Sequence, residues 1–590
     1  MKRRSVLGAA LVASVPVWSV SGVNVAHAGP ASPLEGPPTV APKDLTFTPR
    51  RLRRGSPRQA GLTGKYIDRV AEDAASFMEP GPGGENPAHP GFVVLAARKG
   101  VIVTHDSGGH LLRYESYDPD TDTAVELPAD KQEPMDTDAI FDMASVSKLF
   151  TAMVATTMAA EGTLDLEAKV ATYLPEFAKT DPDKAPITLM HMMRHVSGLK
   201  PSINLWKLPD DEARMKAIYE SDLDFEPDTD YAYSDLNFIL LGKVIEAVTG
   251  NGLDAEVAAR ITEPLGMPDT GYNPPESKLD RIAATEYKPD LDRGMIRGIV
   301  HDENAWSFSG VAGHAGVFST AADMARFGQM ILNGGELEGT RLLDETWVRR
   351  LLTNYSPDLG ESAARGYGWQ LGQRFYMDGL SSPVTAGHTG FTGTSIVLDP
   401  MSESMYILLT NRVHPTRNWG ETSEYRRLPA RDIARALPVT PRSLKAWYAG
   451  LANETTATLT VPLDEKLAAG SVKFKLWYDT EDGYDEGCLE ASSDGESYSP
   501  VKLHLTAGDY EWDVTKFSGF AARQWTDATG KLAEGTKFVR WSYATDTAQL
   551  GRGVYVDKVR IFDGDSKVFD GERWWDSKRF ESDGWEEAFD

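Results

Sequence analysis

Met143-Ala144-Ser145-Val146-Ser147-Lys148-Leu149-Phe150 leads into an apolar run, residues 149–160, that reads as a helix. Residues three apart share a helix face, so Ser145 presents its hydroxyl one turn from the amine of Lys148. A serine hydroxyl becomes a nucleophile when a neighbouring base takes its proton. A lysine serves as that base when its ammonium is desolvated or held near another cation. The same S-x-x-K spacing recurs at Ser197/Lys200 and Ser499/Lys502, but Gly198, Pro201 and Pro500 break the helix that would align those pairs. Only Ser145 leads into an uninterrupted helical pattern. Taken alone, the stretch also suits a plainer role, with Ser145 or Ser147 capping the helix.

Around that stretch, the totals bound the answer. A chain of 590 residues is too long for one compact core, so two or three domains are expected. Its 61 basic and 87 acidic residues leave a charge of −26, a surface that repels nucleic acid and anionic lipid. With Cys488 as the single cysteine, no intramolecular disulfide and no thiolate-rich metal site can form. Residues 1–28 read as a signal peptide: Lys2-Arg3-Arg4, an apolar stretch, then Ala26-His27-Ala28 as the cleavage site. Arg3-Arg4 hints at the twin-arginine route. Export to the bacterial exterior is expected, with no later transmembrane segment. Residues 29–55, rich in Pro and basic side chains, read as a linker.

On the N-terminal side of Ser145, residues 66–78 are helical, 91–97 and 101–104 form a hairpin, and 114–134 read as a polar surface loop. Beyond it, a helix over 187–195 carries His191 and His195 four apart, without the Glu or third ligand of a metal site. Tyr231-Ala232-Tyr233-Ser234-Asp235-Leu236-Asn237 precedes an apolar helix, 238–248, and Tyr233 suits either a proton relay or a packed phenol. Gly310, Gly313 and Gly316 make a tight loop that lacks the Lys-Ser/Thr ending of a phosphate site, and its His314 either faces a site or is structural. Ala386-Gly387-His388-Thr389-Gly390-Phe391 then precedes two strands, 395–398 and 405–410, and a closing helix, 429–437.

Together these pieces resemble the serine β-lactamase and penicillin-binding superfamily, in its class C β-lactamase and D-Ala-D-Ala carboxypeptidase branch. Its three motifs stand here in order as Ser145-Val146-Ser147-Lys148, Tyr233-Ser234-Asp235 and His388-Thr389-Gly390, within residues 56–438. The resemblance implies an α/β fold, an antiparallel sheet flanked by helices plus a helical subdomain. It implies acyl transfer in which Ser145 attacks a carbonyl, Lys148 and Tyr233 move its proton, and the acyl-enzyme is hydrolysed. The backbone amides of Ser145 and Phe391 would form the oxyanion hole, and Asp235, His388, Thr389, Gly390 and Phe391 would bind substrate.

Two residues depart from the family pattern. Asp235 replaces an Asn that would donate to the substrate, and an ionised carboxylate can only accept. His388 stands where many β-lactamases have Lys, and a neutral imidazole attracts a carboxylate less. The reading is therefore a secreted D-Ala-D-Ala carboxypeptidase or D-amino-acid peptidase acting on a peptide or small molecule, with peptidoglycan as a candidate. The alternatives are an esterase or weak β-lactamase of the same mechanism, and a non-catalytic penicillin- or wall-binding protein. Intact Ser145, Lys148 and Tyr233 argue against the last.

Residues 439–590 change to short alternating runs between Gly and Asp turns, the pattern of a β-sandwich. Trp447-Tyr448-Ala449-Gly450, Trp477 to Asp485 and Gly553 to Asp557 resemble the jelly-roll module of immune inhibitor A metallopeptidases, whose H-E-x-x-H is absent. No catalytic cofactor or metal is expected. Asp479, Asp482, Asp485 and Asp557 are either calcium ligands or turn formers. Trp574, Trp575 and Trp585 either face a glycan or pack inside.

Overall fold

A computed structural model describes residues 34–81, 86–420, 423–450 and 452–589. The expected signal peptide lies outside the described residues. The strand Gly91–Arg98 reads Gly-Phe-Val-Val-Leu-Ala-Ala-Arg, an unbroken apolar run, and both its faces are buried. It is central to an eight-stranded sheet ordered Gln370–Leu371, Ala386–Thr389, Ser395–Asp399, Ser404–Thr410, Gly91–Arg98, Val101–Leu112 and Arg53–Arg54, with Glu133–Pro134 beside Val101–Leu112. The pairings are antiparallel except that of Arg53–Arg54 with Val101 and Ile102, which is parallel.

Side chains of successive strand residues point to opposite faces, which separates the two cores. Val93, Leu95, Ile396, Leu398, Ile407 and Leu409 join one core with the helix Ala321–Leu332. Phe92, Val94, Ala96, Val397, Tyr406 and Leu408 join the other, against the helices Arg69–Ser76 and Glu424–Ala436. On the first side lies a helical subdomain in which Ser147–Ala160 packs on Asp235–Thr249. Ser147 through Met158 are all buried, so this helix is apolar all round and takes its stability from tertiary packing.

The C-terminal region is a sandwich of two largely antiparallel sheets. One runs Leu34–Glu35, Tyr510–Val514, Leu503–Ala507, Thr526–Lys531, Gly470–Asp479, Gly553–Asp563, Ala446–Ala449 and Glu586–Ala588. The other runs Ser499–Pro500, Glu486–Ser492, Phe538–Ala544, Thr456–Pro462 and Glu581–Asp583. Leu459, Val472, Leu476, Leu489, Trp541 and Val556 fill the space between them. Trp585 is buried in this core, whereas Trp574 and Trp575 are 70% and 63% exposed.

Two stretches read as loop or linker take regular structure. Tyr114–Asp118 pairs with Thr123–Glu126 as a hairpin. Within 29–55, Leu34–Glu35 adds a parallel edge to the sandwich at Tyr510 and Glu511, while Arg53–Arg54 adds an edge to the catalytic sheet. Prolines and charges hide such edges from a periodicity reading, because backbone pairing with a remote strand needs no side-chain pattern.

Candidate functional site

The turn that carries Ser145 is clamped from below. Ala144 lies in left-handed backbone, φ 46°, which costs a non-glycine residue about 1 kcal/mol or more. Its N–H donates to Asp142 Oδ1 at 2.8 Å, and Asp142 Oδ2 accepts from the His301 N–H at 2.6 Å. Thr392 Oγ1 and Thr394 Oγ1 donate to the carbonyls of Asp142 and Met143 at 2.7 and 3.0 Å. Ser145 follows in a tight turn, Ala144–Val146, before the helix Ser147–Ala160. Ser147 does not cap that helix; its Oγ accepts from the Val317 N–H at 3.0 Å.

Ser145 and Lys148 meet as the spacing requires. Lys148 Nζ, fully buried, donates to Ser145 Oγ at 3.0 Å, to Asp235 Oδ1 at 2.8 Å and to the His314 carbonyl at 3.2 Å. Burial presses the Lys148 pKa down, but the charges of Asp235 and Tyr233 prevail and hold it above the ordinary lysine value. Tyr233 sits over the ammonium, its ring centroid 4.8 Å from Nζ. Burial raises the pKa of its hydroxyl, against the charge of Lys148 and the hydrogen bonds with Lys148 and Ser145 that lower it. The ring is positioned by His195, 4.5 Å away between centroids, whose Nδ1 accepts from the Ser234 N–H at 3.0 Å.

His314 belongs to the glycine loop, and the loop supplies more than a turn. Thr151 Oγ1 donates to the Gly313 carbonyl at 2.8 Å. A Cβ on Gly313 would lie 2.0 Å from the Phe238 carbonyl oxygen, since the loop rests directly on the helix Asp235–Thr249. Gly313→Ala is therefore expected to lower stability by about 1–3 kcal/mol, read as the denaturant midpoint. A midpoint equal to wild type would show that the loop shifts freely.

The strand Ala386–Thr389 forms the opposite wall, with His388 opposite Ile396 and Thr389 opposite Ser395. Gly390 is a necessity of close approach: a Cβ there would sit 2.5 Å from the Met143 carbonyl oxygen. His388 Nδ1 lies 2.8 Å from the Thr389 carbonyl, which can only accept, so Nδ1 carries the hydrogen. Burial, aided by the charges of Arg365 and Lys148, holds His388 well below the usual imidazole pKa. The ring is neutral and its partnerless Nε2 is an acceptor. Phe391, 48% exposed, stands at the rim between Arg412 and Arg417.

Ser145, Tyr233, His388, Thr389, Gly390 and Phe391 line one cavity of 510 Å³. Lys148 and Asp235 lie beneath it through the hydrogen bonds above. Three residues lining this cavity carry no sequence signal: Arg365, Arg412 and Arg426. Arg365 is 2% exposed, stacks near Tyr231 and Tyr233, and has no carboxylate within 4 Å among the described residues. Its Nε and Nη1 are buried without a partner. Arg426 Nη2 donates to the Gly390 carbonyl at 2.8 Å.

The four aspartates read as calcium ligands do not converge. Asp479 is ion-paired to Arg523 and Arg374, and Asp557 accepts from the backbone of Arg442 and Ser443. Asp485 instead meets Glu481 and Asp546, with one oxygen of each within 4.8 Å of the others. Burial and the repulsion of neighbouring carboxylates push Glu481 up to about 7 and Asp485 up to about 6. Asp235, Asp302 and His314 also approach within 4.8 Å, but there the cation is the Lys148 ammonium.

Comparison with known proteins fits this geometry. A Salmonella enteritidis protein provisionally named D-alanyl-D-alanine carboxypeptidase is 30% identical over 393 residues, covering 62% of this chain and 86% of the relative. A Salmonella typhimurium protein of the same name matches to the same extent. Among solved structures, the hydrolase EstCE1 aligns over 64% of this chain and 99% of its own, with TM-score 0.48 and 19% identity. The family described as Beta-lactamase matches residues 74–431, more than half the sequence. With its serine and lysine joined across one turn, the chain belongs to the β-lactamase family and is a serine hydrolase of that family.

Proposed function

We propose that the protein is an exported peptidase that releases a carboxylate-bearing residue, D-alanine above all, from cell-wall peptides through an acyl-enzyme on Ser145. The observation that carries this reading is the buried Arg365, set in the wall of the Ser145 cavity with no carboxylate beside it. Burying an unpaired cation costs several kcal/mol, and a substrate carboxylate offsets that cost. His388, neutral and accepting, does not attract the carboxylate; Arg365 and Arg426 supply the charge that Lys gives elsewhere in the family pattern. Ser145 Oγ attacks the carbonyl, the backbone amides of Ser145 and Phe391 receive the oxyanion, and water releases the acyl group. The relatives named for D-alanyl-D-alanine carboxypeptidase activity support this substrate class.

The exposed rings of Phe375 and Phe391 on the same cavity favour a second reading, hydrolysis of esters with an apolar acyl group. The two readings separate on an N-acyl peptide ending in D-Ala-D-Ala, its C-terminal amide, and p-nitrophenyl butyrate. The expected result is D-alanine release from the free acid and at least roughly tenfold slower cleavage of the amide. Arg365→Met is expected to raise KM for the acid about tenfold with kcat nearly kept, because it removes binding made equally in ground and transition states. Equal cleavage of acid and amide would defeat the carboxylate reading, and cleavage of the ester alone would establish the second.

A further inference from the structure

Lys148 has three N–H groups, and each has an acceptor: Asp235 Oδ1, Ser145 Oγ and the His314 carbonyl. An ammonium with every proton engaged offers no lone pair to the Ser145 hydroxyl. Tyr233 is no base either while burial keeps its phenol protonated. The group at this place with lone pairs to spare is Asp235. Its side chain is 24% exposed, and it is the first residue of the helix Asp235–Thr249, where the unpaired N–H groups of the first turn favour a carboxylate.

The titratable groups facing Asp235 come from four segments of the chain. Lys148 reaches it from the nucleophile helix and Tyr233 from its own segment. His314 and Asp302 close the far side, joined by Nε2–Oδ1 at 2.8 Å. Burial alone would raise Asp302, but the His314 ring overrides it and keeps Asp302 an anion.

Resting on the assignment of Ser145 as nucleophile, we infer that Asp235 is the proton acceptor of acylation, working through Lys148. One Nζ–H proton passes to Asp235 Oδ1, leaving its electron pair on Nζ. That pair takes the Ser145 hydroxyl proton as the Oγ–carbon bond forms and the carbonyl π pair moves onto oxygen. When the C–N bond breaks, its pair goes to the leaving nitrogen, and the proton returns from Asp235 through Lys148. While protonated, Asp235 carries an O–H donor, so the residue that departs from the family's Asn regains a hydrogen to give the substrate.

The test reads nucleophile activation without assuming a substrate: the rate at which a fluorophosphonate labels Ser145, followed by intact mass across pH. In the wild type the rate should fall on the acid side, as the proton acceptor fills. Asp235→Asn should be silent or shift that limb to the alkaline side, since Lys148 must then shed its own proton first. Its labelling at pH 7 should drop by about 10²-fold. Asp235→Glu should restore the acid limb. An Asn variant that follows the wild-type profile, or a Glu variant that behaves as Asn does, would overturn the inference. A wild type that is not labelled, or a label that persists in Ser145→Ala, would remove the nucleophile assignment and this inference together. Normal labelling without D-alanine release would remove the substrate reading alone.

Discussion

The wild type incubated with a penicillin is expected to gain the mass of one penicillin, and Ser145→Ala to show no such adduct and a kcat lower by at least about 10⁵-fold. The magnitude follows from removing the only atom able to form the acyl bond while the rest of the cavity stays in place. Ser145 Oγ meets Lys148 and Tyr233, so the variant loses roughly 1 kcal/mol for each hydrogen bond and should fold. Ser147→Ala is the control. Its hydroxyl holds the Val317 N–H, so that variant should lose roughly 1–3 kcal/mol of stability yet keep the adduct. An adduct that survives in Ser145→Ala, or disappears in a folded Ser147→Ala, would exchange the roles of the two serines.

Arg523→Met is expected to lower stability by about 3–5 kcal/mol, the largest loss from a single substitution away from the site. Arg523 reaches from the sandwich into the catalytic domain. Its Nη1 pairs with Asp399 at 2.8 Å, its Nε with Asp479 at 2.9 Å, and its Nη2 donates to the carbonyls of Gly379, Leu380 and Ser381. Both aspartates are fully buried, and Arg523 is nearly so. Among the described residues, removing the guanidinium leaves the buried Asp399 with no ion pair within 4 Å and Asp479 with that to Arg374, 3.3 Å away, while Arg98 and Arg552 act only from farther off. The segment 379–381 precedes the strand that carries His388 and Thr389, so kcat should fall with stability. Arg523→Met combined with Asp479→Asn should recover part of the loss, because the stranded charge goes too. A thermal or urea midpoint unchanged in Arg523→Met would show that the two domains are merely adjacent.

The same physics explains what was legible beforehand. Ser145 and Lys148 were readable because helical spacing is local: residues three apart share a face whatever the rest of the chain does. The strands of the central sheet were readable as apolar runs because both of their faces are buried. The run 114–134 was misleading because a polar hairpin and a polar loop share a composition, and only cross-strand pairing separates them.

His314 stood undecided between a site and a structural role because its part depends on two contacts remote in sequence. Its carbonyl meets Lys148 and its ring meets Asp302. Arg365 gave no signal at all. It lies among Ala363, Ala364 and Gly366, its Nη2 donates to the Tyr231 hydroxyl, and its significance is the absence of a carboxylate beside it among the described residues, which no local pattern encodes.

The sequence, then, determined the pairing of Ser145 with Lys148, the order of the three motifs and the change to a β-rich C-terminal region. All of these rest on short-range periodicity and spacing. The tertiary structure alone decided the charge of Lys148, the neutral accepting state of His388, the cationic wall at Arg365 and the ionic joint at Arg523. The first two and the last set burial against charged groups far away in the chain, Arg365 is a buried cation with no carboxylate beside it, and only the folded chain brings these groups together.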